Sequence, residues 1–245
     1  MAPEQLSFLA IAILIVAFLY SSVGHAGASG YIAVMSLFSI HPSVVKPTAL
    51  VLNIFVAFIA FWQFQRTGYF SWKLFWPFAL LSIPFAFIGG YIDLPTHVFK
   101  IIVGIVLLFS ALRFLVRPPH DEVTSEPSPL AAISIGAGLG FLAGLTGTGG
   151  GIFLTPLLLF MHWARAKSAA AISALFILVN SVSGLLGNVS STKTFPSFAL
   201  ILVVAAIIGG SAGSYFGSQR FQHTHIKRIL AIVLLIAGAK LVLTK

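Results

Sequence analysis

Leu145-Thr146-Gly147-Thr148-Gly149-Gly150-Gly151-Ile152-Phe153-Leu154-Thr155-Pro156 is the stretch that decides how this chain folds. An apolar run meets a cluster of glycines and then resumes. Glycine permits positive φ and close backbone approach, so the stretch reads as a helix that stops and restarts. The restarted segment, 149–162, holds about 14 residues, or about 21 Å at 1.5 Å per residue. A membrane's hydrocarbon core is roughly 30 Å thick. The segment therefore predicts a re-entrant hairpin: a helix enters, turns at the glycines inside the membrane, and leaves on the side it came from. A second stretch, Ser21-Ser22-Val23-Gly24-His25-Ala26-Gly27-Ala28-Ser29-Gly30, precedes another short apolar segment, 27–40, and reads the same way.

Outward from these two breaks the chain is apolar almost throughout. It has 245 residues, of which 58% are hydrophobic and 8% charged, against roughly 25% charged in soluble domains. That composition excludes an ordinary soluble protein and places the chain in a lipid bilayer. Ten apolar segments are predicted, at 6–23, 27–40, 48–64, 73–92, 98–116, 130–146, 149–162, 168–188, 196–217 and 226–243. The formal charge is +9. Its basic residues stand singly between apolar runs, whereas a nucleic-acid binder needs them clustered on a solvated face, so no nucleic-acid partner is expected. The absence of cysteine excludes disulfides and thiolate metal sites. The first segment carries Glu4 and no basic residue before it, which does not read as a cleavable signal peptide.

The polar stretch 117–129, from Arg117 to Pro129, reads as a cytoplasmic linker between two membrane repeats, 1–116 and 130–245. Lys100-Ile101-Ile102-Val103-Gly104 resembles Lys227-Arg228-Ile229-Leu230-Ala231, and the order of glycine break, short helix, basic loop and long helices recurs. A hairpin followed by three crossings is an odd number, so the halves are expected to be inverted relative to each other. Charge supports this. With both termini outside, the inside loops hold Arg66, Lys73, Arg113, Arg117, Arg165, Lys167, Arg220, Lys227 and Arg228, and the outside holds Lys46, Lys100, Lys193, Lys240 and Lys245. The positive-inside rule favours that orientation. A single crossing at each hairpin levels the tally. The fold expected is an all-α polytopic protein of the cell (inner) membrane, made of two inverted repeats. Nothing in the sequence sets its oligomeric state.

Irregular backbone at membrane depth is tolerated only where it is buried or lines a watery cavity. Paired broken helices in inverted repeats point to a transport site near the midplane. Each break opens the N-terminus of a short helix, where unpaired N–H groups and the dipole favour an anion. The candidate binding residues are Ser22, Gly24, His25, Gly27, Ser29 and Gly30 in the first break, and Thr146, Gly147, Thr148, Gly149, Gly150 and Gly151 in the second. Asn53 and Asn180, in the third segment of each half, are placed to face the breaks. The competing reading of the glycines is tight helix packing. His25 can donate to an oxyanion, attract it when charged, or carry a proton; the alternative is a histidine bonded to a nearby carbonyl. His120, His223 and His225 read as loop residues without a metal-site pattern, and neither metal nor cofactor is expected. No Asp or Glu falls inside an apolar segment. A cell-negative potential supplies about 2.3 kcal/mol per charge per 100 mV for anion exit, which suffices without a coupling ion.

Gly147-x-Gly149-Gly150-Gly151 followed by Pro156 resembles the glycine motif of the TauE/SafE family of sulfite exporters, also called the toluene-sulfonate uptake permease group. The likeness covers nearly the whole chain. Gly24-His25-Ala26-Gly27-Ala28-Ser29-Gly30-Tyr31 with Thr48-Ala49-Leu50-Val51-Leu52-Asn53 resembles one branch of it, with Gly27-Ala28-Ser29 where the commoner pattern has three glycines and Ala33 near where it has proline. The resemblance implies export or uptake of small sulfur oxyanions and organosulfonates. Two other readings stand beside it. Gly27-Ala28-Ser29-Gly30 also fits the G-x-S-G of rhomboid-like intramembrane serine proteases, whose nucleophile pairs with a later histidine. The third reading is a non-transporting membrane scaffold protein.

Overall fold

The computed structural model describes residues 3–22, 24–66, 68–115, 125–193 and 197–219, with 234–236, 238–239 and 241–243 beyond them. Val23 and the expectations resting on Arg117, His120, Arg220, His223, His225, Lys227, Arg228, Lys240 and Lys245 lie outside the described residues.

The described chain is helical, and its helices follow the apolar segments. They are α1 (Pro3–Ser22), α2 (Ala28–Leu37), α3 (Pro42–Arg66), α4 (Trp72–Tyr91), α5 (Thr96–Leu115), α6 (Pro129–Thr146), α7 (Gly151–Phe160), α8 (Ala166–Thr192) and α9 (Ser197–Gln219). Six of them, α1, α3, α4, α6, α8 and α9, are long and apolar enough to cross a membrane. Serine caps set two starts: Ser71 accepts from Leu74 N, and Ser128 from Ala131 N with Pro129 following it. That arrangement satisfies an N–H the first turn leaves open.

α3 and α8 form the centre. Two thirds (67%) of each apolar span is buried, against 39% for α1, α4, α6 and α9. The outer helices turn Phe8, Ile11, Trp76, Leu80, Leu200 and Val204 outward, as a lipid-facing surface requires. Pairing exchanges partners between the halves. α1 packs on α9 and α6 on α4, while α3 and α8 pack on each other.

Two glycine stripes make the outer pairings possible. A Cβ at Gly136, Gly140 or Gly144 on α6 would overlap the carbonyls of Phe78, Ser82 and Ala86 on α4. Gly209, Gly213 and Gly217 on α9 stand in the same relation to Leu14, Phe18 and Ser22 on α1. Spacing of four keeps each set on one helix face, and small residues let membrane helices approach to backbone contact.

Contacts between loops sort them to two ends of the bundle. At one end Lys73 pairs with Glu126 at 2.7 Å, the Lys167 ammonium lies over the Tyr69 ring at 5.1 Å, and Ser125 Oγ donates to Met161 O. At the other end the α2–α3 loop, the α4–α5 loop and the end of α8 line one cleft through His41, Asp93 and Thr192.

Lys46 corrects a sequence expectation. The sequence reading places it in a polar loop before a segment beginning at residue 48. It stands instead in the second turn of α3, 6% exposed. Its Nζ donates to the carbonyls of Gly89, Gly90 and Ile92, at 3.3, 3.0 and 3.1 Å. Those carbonyls end α4 and have no further turn to bond to. A buried ammonium supplies the donors, so the helix runs on through the expected loop.

Candidate functional site

Both breaks are built from left-handed glycines. In the first, Gly24 has φ 82° and Gly27, the N-cap of α2, has φ 105°. In the second, Gly147 ends α6 at φ 79°, Gly149 has φ 73°, and Gly150 caps α7 at φ 79°. Residues with a Cβ rarely adopt this conformation. α2 and α7 each have ten residues, and no side chain caps either N-terminus. Two short helices therefore start inside the bundle with their first N–H groups open to whatever occupies the break.

The surroundings of the first break are buried. His25 is 6% exposed, and its backbone N–H donates to Tyr20 O at 3.0 Å. Ser29 Oγ donates to the Tyr20 hydroxyl at 2.9 Å, and Tyr31 Oη to Ala26 O at 2.7 Å. Ser22 Oγ bonds back to Leu19 O. Ser21 Oγ is buried and has no hydrogen-bond partner among the described residues. A Cβ at Gly24 would overlap the side chain of Ala170 on α8. One at Gly30 would overlap Tyr20 and Val16, so that glycine serves packing.

The second break meets the first half of the chain. Thr146 Oγ1 donates to Leu142 O and lies 2.9 Å from Thr148 Oγ1. Asn53 Nδ2, from α3, donates to Ser181 Oγ at 3.3 Å and to Thr148 O at 3.5 Å. A Cβ on Gly149 would stand 2.8 Å from Asn53 Nδ2 and from Ile177 Cγ2. On Gly147 it would meet Lys46 O at 3.0 Å, and Gly151 packs on Ile177. The structure thus brings Asn53 to a break. Asn180 is different: its Nδ2 bonds back to Phe176 O at 2.9 Å within α8. The oxygens Asn53 Oδ1, Asn180 Oδ1 and Thr48 Oγ1 are buried without hydrogen-bond partners among the described residues.

Sequence reading missed Lys46, Thr48, Ser181 and the tyrosine pair Tyr20 and Tyr31. The tyrosines and Ser181 sit in apolar runs with nothing local to single them out. Lys46 carried a usable signal, because it is followed at once by Pro47 and a long apolar helix. Of the predicted hydroxyl donors, Ser22, Ser29 and Thr146 donate to protein acceptors in this structure.

A helical bundle with lipid-facing outer helices, paired interior breaks and uncapped short helices belongs to the class of polytopic membrane transporters. Residues 9–241 match the family model described as Sulfite exporter TauE/SafE, and the chain belongs to that family. It is 40% identical over 238 residues to "Probable membrane transporter protein y4hK" of Sinorhizobium fredii, covering 95% of this chain and 96% of the relative. It is 27% identical to "Probable membrane transporter protein YjnA" of Bacillus subtilis over 94% of this chain and 96% of that one. To YunE of the same organism, also named a probable membrane transporter, identity is 26%, covering 82% and 81%. No solved structure matches.

Proposed function

We propose that this chain carries small sulfur-containing oxyanions, such as sulfite or organosulfonates, outward across the cell membrane. The anion is held by the open N-termini of α2 and α7 and by side chains of the two breaks. One observation carries the reading: both short helices begin inside the bundle at left-handed glycines with no side-chain cap. N–H groups that no protein acceptor meets, at the positive end of a helix, favour an anion. His25, Ser21 and Thr48 add donors near the breaks or on α3. The family's description supplies the sulfur chemistry.

The two halves, 1–116 and 130–245, are proposed to be inverted about an axis in the membrane plane. The exchange of partners, α1 with α9 and α6 with α4, supports a two-fold relation. So does the loop sorting: the α2–α3 loop and the α7–α8 loop hold equivalent places in the two halves and lie at opposite ends. The end bearing Arg66, Lys73, Arg165 and Lys167 is proposed to be cytoplasmic, by the positive-inside rule. Both termini are then outside.

Ser29 does not favour a protease. Its hydroxyl pairs with Tyr20, and a serine nucleophile needs a base within hydrogen-bond reach.

Sulfite efflux from proteoliposomes at clamped potentials, without pH or sodium gradients, tests the proposal. Efflux should accelerate as the interior is made negative, because net charge leaves. A purified protein that moves no sulfite or sulfonate at any potential would overturn it.

A further inference from the structure

Between the start of α3, the α4–α5 loop and the end of α8 lies a cleft of about 460 Å³. Polar groups of His41, Ser43, Asp93, Thr96 and Asn188 share its wall with prolines, Leu94 and Phe99, and the buried Lys46 lies at its floor. A second cleft of about 290 Å³ adjoins it. The two share His41, Pro42, Thr96 and Phe99, and the second adds Lys100.

Lys46 is buried, and the carbonyls of Gly89 and Gly90 on α4 and of Ile92 just beyond it surround its ammonium at 3.0–3.3 Å. Charge-assisted N–H···O bonds close to about 2.7–2.9 Å, so these are long. Carbonyls also contribute dipoles and no countercharge. No carboxylate lies within 4.0 Å of it; among the described residues the ion pair at that range is Lys73 with Glu126. Buried charges are ordinarily paired; Lys46 instead bonds to carbonyls, with Asp93 the carboxylate on the wall of the same cleft. Lys46 also faces the second break: a Cβ at Gly147 would stand 3.0 Å from Lys46 O and 3.2 Å from its Cγ. One residue touches both cleft and break. Gly24 makes the corresponding contact with Ala170 in the other half, so the charge is not a by-product of the repeat.

We infer that this cleft is an anion-binding exit vestibule of the second break, where small oxyanions leaving Gly147–Gly151 pass onto the Lys46 ammonium. The inference rests on the anion-transport reading of the breaks. An anion arriving at Nζ competes with the carbonyls of Gly89, Gly90 and Ile92. Binding there loosens the tie between α3 and the end of α4, right beside the break. His41 and Lys100 add basic groups at the rim, and Asp93 is the carboxylate on the wall that limits how long an anion stays.

The chain has no cysteine, so Thr96→Cys sets a lone thiol on the wall shared by both clefts. Its rates with an anionic sulfonatoethyl methanethiosulfonate and with the cationic trimethylammonium counterpart, each normalised to a free thiol, report the cleft's potential. The anionic reagent should be favoured about tenfold over the cationic one, because one unit charge about 6 Å away in water changes each rate about threefold in opposite directions. Methanesulfonate, which unlike sulfite does not react with these reagents, should slow the labelling. Asp93→Asn should raise the preference by up to about a further tenfold. Lys46→Met should remove both preference and protection, and Lys46→Arg should keep them. Equal normalised rates in Thr96→Cys, or no protection by methanesulfonate, overturn the vestibule whether or not Lys46→Met folds. Methanesulfonate flux that continues at the unlabelled rate after complete anionic labelling also overturns it, and leaves the transport reading standing. Protection without any methanesulfonate or sulfite flux in unlabelled protein supports the anion site and defeats the transport reading instead.

Discussion

The two glycine breaks share a backbone plan and differ in what faces them. In each, the first left-handed glycine packs against an early turn of the other half's long central helix. Gly24 meets Ala170 of α8, and Gly147 meets Lys46 of α3. The first break carries its titratable group, His25, within its own sequence. The second has none and is approached from outside by Lys46, Asn53 and Ser181. Repeating a backbone does not repeat its chemistry. A break can be furnished locally or by the element packed beside it, and in the second break Asn53 adds a hydrogen bond between the two halves to the packing both breaks share.

Gly149→Val strikes the second break hardest. Gly149 has φ 73°, and its Cβ would crowd Asn53, Ile177 and Ser181. Sulfite flux should fall below detection while the protein still inserts, since the lipid-facing helices are untouched. Wild-type flux would reduce this break to packing.

His25 sharpens the other side of the comparison. His25→Ala should weaken sulfite affinity by one hydrogen bond to a charged group, about 1.5–3 kcal/mol or roughly 10- to 150-fold. His25→Gln, which keeps a neutral donor, should retain flux with an altered pH profile. Efflux that ignores voltage, follows an imposed proton gradient and loses that dependence in His25→Gln would make His25 the coupling site.

The asparagines separate remote from local furnishing. Asn53→Ala removes the buried partner of Thr148 O and Ser181 Oγ, and should cost about 1–3 kcal/mol. Asn180→Ala removes a back-bond to Phe176 O, a carbonyl within α8, and should cost about 0.5–1.5 kcal/mol. Thermal unfolding in detergent measures both. Equal losses would show that the Asn53 contacts do not fasten the halves. The smallest change is expected at Lys73→Met. Its pair with Glu126 has side chains 79% and 71% exposed, and such pairs contribute about 0–1 kcal/mol. A shift beyond that in the same melt would show that the loops at this end do more than solvate.

Much of this was legible in order along the chain. Apolar runs marked the helices, because a segment crossing lipid must be apolar all round. The glycine clusters marked the breaks, because few other residues adopt φ near 80°. Lys46 was misplaced for the same reason that charge usually marks a loop: an isolated sequence shows a lysine without the three carbonyls that surround it. The four-residue spacing of Gly136, Gly140 and Gly144 is visible as a pattern, yet nothing in it names α4 as the partner.

The sequence by itself determined that this chain lives in a bilayer, where it is broken, and that the breaks recur in two halves. Those properties follow from composition and local backbone preference, which act within a few residues. Tertiary structure alone decided that α6 lies on α4 and α1 on α9, that Asn53 serves the second break while Asn180 serves its own helix, and that a lysine stands behind Gly147 where an alanine stands behind Gly24. Each depends on which helix faces meet. Helix faces meet where shape allows backbones closest approach, between residues as far apart in the chain as Asn53 and Ser181, and no local preference reaches that far.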